Sequence, residues 1–194
     1  MTAHTHSTHH HAACPVWLAG MLESPLRRAL HKPEKLLAGL VKPGMTVLDI
    51  GCGPGYFTLG MARLVGPQGR VIAADMQAEM LARVRAHAAK AGLLERITFQ
   101  QVSPTRIGLA GPVDFALAFW MVHEVPDRQA FLSEVYSLLK PGGRLLVVEP
   151  NMHVKRINFE ETLRLAAATG FTALGERKVT ISRAMLLGKR QEPS

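Results

Sequence analysis

The strongest chemical signal in this 194-residue sequence is a glycine-rich turn with a carboxylate on each side. The turn reads GCGPG (residues 51–55), an apolar run leads into it, and Asp49 lies two residues before it. A strand that enters such a turn and continues into a helix typically holds a nucleotide-like cofactor, because glycines let the ligand approach the backbone N–H groups. Asp75 ends the next apolar run, where a carboxylate can accept both hydroxyls of a ribose. The alternative for Asp75 is an N-cap for the following helix.

The spacing of the glycines separates two classes of cofactor. A dinucleotide fingerprint places glycines at the first, third and sixth positions. Here Gly51 and Gly53 occupy the first two, but the sixth position is Tyr56, and the third glycine comes one residue early, at Gly55. Asp49 stands where a dinucleotide strand carries a neutral residue, and a carboxylate suits a cofactor with a positive amino group. S-Adenosylmethionine (SAM) carries an ammonium and a sulfonium, so the turn predicts SAM rather than NAD.

Three side chains are candidate catalytic residues, because they follow the fourth and fifth predicted strands, at the rim where open α/β sheets bind ligands. His123 and Glu124 stand in the first loop, and His153 stands in the second, close to Glu149 and Asn151. Methyl transfer depends largely on alignment, and a general base is needed only when the acceptor loses a proton. The alternatives are a backbone-bonded His123, a solvated or cap-region Glu124, and a His153 whose loop only covers the site.

The N-terminal segment carries two further signals. Residues 1–13 read as a disordered arm, and the first eleven hold five of the nine histidines. Residues 14–35 place apolar side chains at near-helical spacing, which favours a helical lid over the strand rim or, alternatively, a helix packed on the outer face of the sheet. A polar arm without metal is one hypothesis for the histidines, and the other is a weak site for Zn, Ni or Cu built from His9, His10, His11 and Cys14.

Composition limits the partners and the compartment. Hydrophobic residues make up 47% and charged residues 20%, as in an ordinary globular domain. The net charge of +8 permits a nucleic-acid or anionic-lipid partner, but the basic residues are scattered, which disfavours nucleic acid. Two cysteines make no disulfide framework and fit a reducing cytoplasm. The apolar stretch 12–22 is too short for a membrane span and lacks the basic flank of a signal peptide.

Alternating patterns predict the order of the elements. Strand segments such as TVLDI and RLLVVE are almost continuously apolar, which is typical of parallel strands covered on both faces. The alternation predicts one doubly wound, Rossmann-like α/β sheet over residues 36–194. A final antiparallel hairpin is expected from 171–176 and 179–188. The other predicted strands are Met45–Ile50, Arg70–Asp75, Ile97–Val102, Val113–Phe119 and Arg144–Glu149, and the predicted helices are Tyr56–Leu64, Ala78–Lys90, Arg128–Leu139 and Phe159–Thr169.

Three segments together carry a resemblance to a known family. GCGPG after VLDI, then VIAADM, then LLKPGGRLLVVEP resemble class I SAM-dependent methyltransferases, in the small-molecule branch that includes ubiquinone and menaquinone biosynthesis methylases. The similarity covers residues 36–189. It implies a seven-stranded sheet whose last strand is antiparallel, with SAM across the carboxyl edge of the strands.

The resemblance also implies roles for individual residues. Asp49 would line the methionine part of SAM, Asp75 would hold the ribose, Met76 would flank the adenine and Phe119 would lie beside the amino-acid end. One departure is the segment QQVSPTR, which lacks the acidic residue that in many relatives accepts from the adenine amino group. Either Gln101 or Ser103 substitutes for it, or this contact is lost. The predicted cofactor-binding set is Asp49, Gly51, Cys52, Gly53, Gly55, Tyr56, Asp75, Met76, Ser103 and Phe119.

Several classes of methyl acceptor can be excluded, although the acceptor itself cannot be assigned. No Asn/Asp-Pro-Pro-aromatic motif follows the fourth strand, no Pro-Cys pair supplies a nucleophile, and two cysteines are too few for arsenite methylation. The sequence thus predicts an enzyme that transfers a methyl group to a small molecule. An RNA-modifying methyltransferase and a non-catalytic SAM-binding protein are the alternatives.

Overall fold

The computed structural model describes residues 31–109 and 111–191. These residues include one seven-stranded sheet. The predicted arm, its metal-site histidines and Cys14, and most of the predicted lid lie outside these residues. The strands are β1 (Thr46–Ile50), β2 (Arg70–Asp75), β3 (Ile97–Gln101), β4 (Val113–Phe119), β5 (Leu139–Pro150), β6 (Thr172–Glu176) and β7 (Ser182–Gly188).

The order of strands across the sheet is β3-β2-β1-β4-β5-β7-β6. Strands β1 to β5 are parallel, and β7 runs antiparallel to both β5 and β6. The predicted fold class, with its antiparallel last strand, is therefore confirmed. The direction of winding reverses between β1 and β4, and in doubly wound sheets such a reversal opens a ligand crevice at the carboxyl ends of the strands.

Helices cover both faces of the sheet. Neighbouring residues of β1 point to opposite faces, so that Val47 joins one core cluster and Leu48 joins the other. Both residues are fully buried, as expected for a parallel strand between two helical layers. In the described part of the chain no helix has the length and apolar character required to span a bilayer. The α-helices are α1 (Pro33–Leu36), α2 (Tyr56–Val65), α3 (Ala78–Lys90), α4 (Arg128–Leu138) and α5 (Arg156–Thr169).

The starts of β5 and α5 differ from the sequence prediction by several residues. Strand β5 begins at Leu139 rather than Arg144, because the KPGG segment stays extended while Lys140 forms an ion pair of 2.7 Å with Asp114. The register of β4 against β5 shifts at this point. Helix α5 begins at Arg156 rather than Phe159, one turn earlier than the apolar pattern indicated.

The last hairpin forms one edge of the sheet. Strand β6 is the edge strand, all five of its residues are exposed, and its pairing with β7 shifts register between Ala173 and Gly175. Strand β7 starts at Ser182 rather than Val179, because Ile181 adopts a left-handed backbone (φ 54°) and turns the chain just before the strand.

The glycine turn is shaped by close contacts at the end of β1. The N–H groups of Gly51 and Cys52 both donate to the carbonyl of Ala74, at 2.8 and 3.0 Å, so the turn folds back over β2. Gly55 has a φ of +92°, and a Cβ there would lie 2.9 Å from the methyl groups of Val84 on α3. Only glycine meets both conditions, and α2 begins directly after it.

Candidate functional site

A cavity of about 590 Å³ lies at the carboxyl edge of the sheet, where the order of strands reverses. Its walls come from the glycine turn and from the ends of β2, β4 and β5. Twelve of the thirteen predicted cofactor-binding and catalytic residues line it. They are Asp49, Gly51, Cys52, Gly53, Tyr56, Asp75, Met76, Ser103, Phe119, His123, Glu124 and His153.

The thirteenth predicted residue, Gly55, is not among the lining residues. It packs against Val84 and so fixes the turn on α3. The predicted metal ligands lie outside the described residues, and within residues 31–109 and 111–191 no three His, Cys, Asp or Glu side chains group as metal ligands would.

Asp49 is a buried carboxylate at the floor of the cavity. Thr58 of α2 donates its hydroxyl to Asp49 Oδ2 at 2.6 Å. A buried carboxylate is costly unless hydrogen bonds or an opposite charge compensate it. Because Asp49 opens onto the cavity, a ligand with an ammonium group would supply that charge.

Asp75 braces the glycine turn. Its Oδ2 accepts from the N–H of Gly53 at 2.9 Å, and its Oδ1 accepts from the N–H of Gln77 at 2.9 Å. Burial raises the pKa of the Asp75 carboxyl, and the donated N–H bonds partly oppose this. Each carboxylate oxygen has more than one acceptor site, so hydroxyl groups of a ligand can still bind. Helix α3 begins at Ala78, and Asp75 accepts at Gln77, the residue before it, so Asp75 is not a regular N-cap.

The structure separates the two residues proposed for the adenine side. The Gln101 side chain donates to the carbonyl of Met76 at 3.1 Å and is not among the cavity-lining residues. Ser103 does line the cavity, and its hydroxyl donates to the carbonyl of Arg106 at 3.2 Å. Gln101 therefore holds the backbone of Met76 in place, and Ser103 is the residue that a ligand can reach.

An aromatic cluster forms the wall beside β4. The rings of Phe57 and Phe119 lie 4.3 Å apart, and Trp120 lies 5.3 Å from Phe119. His31, which is 1% exposed, sets its ring edge-on against Phe119 and Trp120, with centroids 5.4 Å away in both cases. Its Nε2 lies 3.0 Å from the carbonyl of Thr180. Sequence reasoning missed His31, because its partners lie 88 or more residues away and no local motif marks it.

Trp120 joins this wall to the last hairpin. It follows β4 directly, has a left-handed backbone (φ 61°), and donates its N–H to the carbonyl of Val148 at 2.8 Å. Its indole N–H donates to Ser182 Oγ at 2.9 Å. Trp120 and Ile181 are the two non-glycine residues with positive φ in the described part of the chain, and both line the cavity. Strain of this kind is typical of functional sites.

His123 and Glu149 form a hydrogen-bonded pair at the rim. The buried Glu149 accepts from the backbone N–H of His123 at 3.1 Å, and its other oxygen lies 2.5 Å from His123 Nδ1. The hydrogen bond to Glu149 raises the pKa of His123, and the charge of Glu124, whose carboxylate lies 3.9 Å from Nε2, raises it further. A carboxylate on Nδ1 places the neutral ring's proton there, so Nε2 is left as a proton acceptor.

Cys52 lines the cavity but is not a nucleophile. Burial raises the pKa of its thiol far above the ordinary value, and the nearby Asp49 and Asp75 carboxylates raise it further. Since the thiolate is the reactive form, Cys52 stays an inert, protonated side chain.

Comparisons with known proteins agree with this geometry. A family profile described as "Methyltransferase domain" matches residues 41–179. A ubiquinone/menaquinone biosynthesis C-methyltransferase UbiE of Marinomonas sp. is 39% identical over 124 residues, which are 62% of this chain and 48% of the relative. A ubiquinone biosynthesis O-methyltransferase of Xanthomonas axonopodis pv. citri is 37% identical over 133 residues, 68% of this chain and 54% of that one. The chain therefore spans about half the length of these curated relatives.

Solved structures show the same fold. A SAM-dependent methyltransferase from Aquifex aeolicus superposes with a TM-score of 0.81 at 25% identity, covering 91% of this chain and 99% of that one. The [4+2]-cyclase SpnF superposes with a TM-score of 0.70 at 18% identity, covering 83% of this chain and 82% of the other. The second likeness concerns the fold alone, and it shows that this fold carries more than one kind of chemistry.

Proposed function

The chain belongs to the methyltransferase domain family, and on that premise we propose that it transfers the methyl group of SAM to a small-molecule acceptor. The observation that carries the proposal is the His123–Glu149 pair, which shares one cavity with the carboxylates of Asp49 and Asp75. The proposed base and the residues proposed to hold the cofactor thus line the same cavity. The location of the protein in the cytoplasm stays a prediction, which rests on the small number of cysteines.

The residues of the cavity fit SAM chemically. Asp49 would pair with the ammonium group, and Asp75 would accept from the ribose hydroxyls, since a carboxylate suits both tasks. Met76 and Ser103 would flank the adenine, and Phe119 would lie against the amino-acid end. SAM, when bound, supplies a methyl group on a sulfonium, and the rings of the aromatic wall would stabilise that cation.

His123 is proposed as the general base. Its Nδ1–H is held by Glu149, so Nε2 can accept a proton from the acceptor as a methyl group is attached. The similar proteins include a C-methyltransferase and an O-methyltransferase. Methylation of an aromatic carbon or of a hydroxyl leaves the accepting atom with one proton fewer, and Nε2 is where that proton would go. Glu149 acts through the ring and is a positioning residue.

The acceptor is proposed to be a small and largely apolar molecule. Beyond the glycine turn, the cavity is lined by the apolar side chains of Ile107, Met121, Val125 and Phe131. An apolar wall of this kind suits a ring or a short hydrocarbon group, which it would remove from water. The names of the similar proteins point to quinone precursors, and a hydroxylated aromatic ring would fit both the wall and the base.

The test is label transfer from methyl-tritiated SAM to a panel of catechols and hydroquinones. The unsubstituted protein should label at least one of them, and His123→Asn should lower the rate by about 100-fold or more, as for loss of a general base. His153→Asn is the matched control, because it changes another histidine of the same cavity, and it should keep most of the rate. Equal rates for His123→Asn and the unsubstituted protein, or label found only in added RNA, would refute the proposal.

A further inference from the structure

Three large apolar side chains are exposed on or close to the two turns that border the cavity. Met152, in the turn after β5, is 83% exposed, Ile157 at the start of α5 is 70% exposed, and Ile181 is 46% exposed. Ile181 lines the cavity, as does His153, the neighbour of Met152. Single exposed apolar residues are common, but a group of three beside a binding cavity is a feature of interaction surfaces.

Hydrogen bonds join the two turns that carry or precede these side chains. The N–H of Asn151 donates to the carbonyl of Ile181 at 2.9 Å, which joins the turn after β5 to the turn before β7. Arg183 donates to the carbonyl of Val154 at 2.9 Å and joins the same two turns again. Val154 is buried and anchors the first turn in the core, so Met152 and Ile157 stand on a fixed base.

Two lysines lie close to these apolar side chains in the sequence. Lys155 lies between Met152 and Ile157 in the sequence, and Lys178 lies three residues before Ile181. Both lysines are exposed, and neither has an ion pair with any residue in the described ranges 31–109 and 111–191. We call these five residues together the mouth surface: Met152, Lys155, Ile157, Lys178 and Ile181.

We propose that the mouth surface binds the surface of an anionic lipid membrane. Exposed apolar side chains can enter the interface between headgroups and acyl chains while neighbouring lysines pair with anionic headgroups, and neither contribution alone gives firm attachment. The net charge of +8, which the proposed catalysis does not use, adds a long-range attraction to the same partner. A polyanion such as RNA would give no role to Met152 and Ile157.

Membrane attachment through the mouth surface would help an apolar acceptor to reach the cavity. The cavity would open toward the lipid, so an apolar acceptor could pass from the bilayer into the site without crossing water. This consequence rests on the proposed function, whereas attachment itself does not. Self-association through the same face is disfavoured, because a two-fold contact would bring the lysines of two copies together.

The experiment is cosedimentation of the full chain with vesicles. Phosphatidylcholine vesicles with 30% phosphatidylglycerol should bind the protein, and pure phosphatidylcholine vesicles should bind it much more weakly. Met152→Asp and Ile157→Asp should each weaken binding by about tenfold or more. Lys155→Ala and Lys178→Ala should each weaken it by roughly fivefold and should reduce its salt dependence. Leu174→Asp is the matched control, because Leu174 is an exposed apolar residue (51%) on β6, outside the mouth surface, and it should bind vesicles like the unsubstituted chain.

Several outcomes would overturn the inference. They are a failure of the unsubstituted chain to bind anionic vesicles, binding that Met152→Asp leaves unchanged, and equal losses for Met152→Asp and Leu174→Asp. Light scattering that shows a dimer dissociated by Met152→Asp would assign the surface to a second copy instead.

The same variants are tested for a thermal transition and for SAM binding. Loss of vesicle binding with SAM binding intact contradicts nothing in the proposed function. Loss of SAM binding in the two aspartate variants marks misfolding, in which case Lys155→Ala decides.

Discussion

Glu149 holds His123 at two points, through the backbone N–H at 3.1 Å and through the ring Nδ1 at 2.5 Å. The two contacts fix the position of the loop and the orientation of the ring with one buried carboxylate. The ring cannot rotate away from the cavity without breaking the second contact. The pKa of His123 therefore reports whether the contact with Glu149 is intact.

The first prediction concerns the pKa of His123 in Glu149→Gln. Removing the carboxylate should lower this pKa toward about 6.5, because the largest interaction that raises it is lost. The amide can also donate to Nδ1, which would place the ring proton on Nε2 and remove the proposed base. NMR titration of the ring protons, assigned with His123→Asn, measures the shift without any acceptor. An unchanged titration would mean that Glu149 does not control the ring.

The second prediction concerns the pH dependence of stability. A histidine whose pKa is raised in the folded state stabilises the fold fully below its unfolded pKa of about 6.5, and this contribution disappears as the pH rises through the folded pKa. The difference in free energy of unfolding between the unsubstituted protein and Glu149→Gln should therefore be largest at pH 5 to 6 and should shrink above that range. Urea denaturation at several pH values measures it. A difference that grows with pH would contradict the assignment.

The third prediction separates binding from bracing at Asp75. Asp75→Ala should weaken SAM binding by about 2 kcal/mol or more. The N–H groups of Gly53 and Gln77 would lose their acceptor, and the hydroxyl groups of the ribose would lose the same acceptor. Asp114→Ala is the matched control, since Asp114 also bonds a backbone N–H, that of Thr46 at 2.8 Å, and is not among the cavity-lining residues. It should lower stability but keep SAM affinity, as measured by calorimetry. If both variants bind SAM like the unsubstituted protein, Asp75 is only structural.

The fourth prediction concerns the glycine turn. Gly55→Ala should destabilise the fold more than Gly92→Ala, since both glycines have positive φ but only the Cβ at Gly55 would press on Val84. The backbone alone costs about 1–2 kcal/mol in each case. Adding Val84→Ala to Gly55→Ala should recover part of the extra loss in urea denaturation. Equal losses at the two glycines would show that the turn can move away from α3.

The fifth prediction concerns strain at Ile181. Ile181→Gly should raise the free energy of unfolding by about 1 kcal/mol, because glycine accepts the left-handed backbone at no steric cost. This gain is net of the loss that comes from the greater entropy of glycine in the unfolded chain. Trp120→Gly should instead lower stability, since the ring contacts and the bond to Ser182 are lost. Thermal unfolding compares the two. A destabilised Ile181→Gly would show that contacts of the side chain outweigh the strain.

The sequence was sufficient to predict most of the fold, because alternation of apolar runs, the glycine turn and short loops are local signals. Strands β2 and β4 and helix α3 match their predicted bounds. The prediction was less accurate for β5, where an ion pair and a register shift extend a strand through a glycine pair. Local propensity cannot register such a contact with another strand.

The candidate site was only partly predictable for the same reason. His123 and Glu149 were both visible as rim residues, but their partnership spans 26 positions and depends on β4 and β5 being neighbours. His31 meets Thr180 across 149 positions, and no spacing rule reaches that far. The positive φ of Trp120 is equally invisible, since tryptophan has no intrinsic preference for it.

The kinked edge strand β6 has a consequence for the behaviour of the protein in concentrated solution. A straight edge strand offers a row of free backbone groups to which a strand of another molecule can add, and such addition is a route to aggregation. Strand β6 is only five residues long, it shifts register between Ala173 and Gly175, and it ends in the charged Glu176. An incoming strand would meet a short edge that is irregular near its middle. The hairpin thus closes this side of the sheet against edge-to-edge growth.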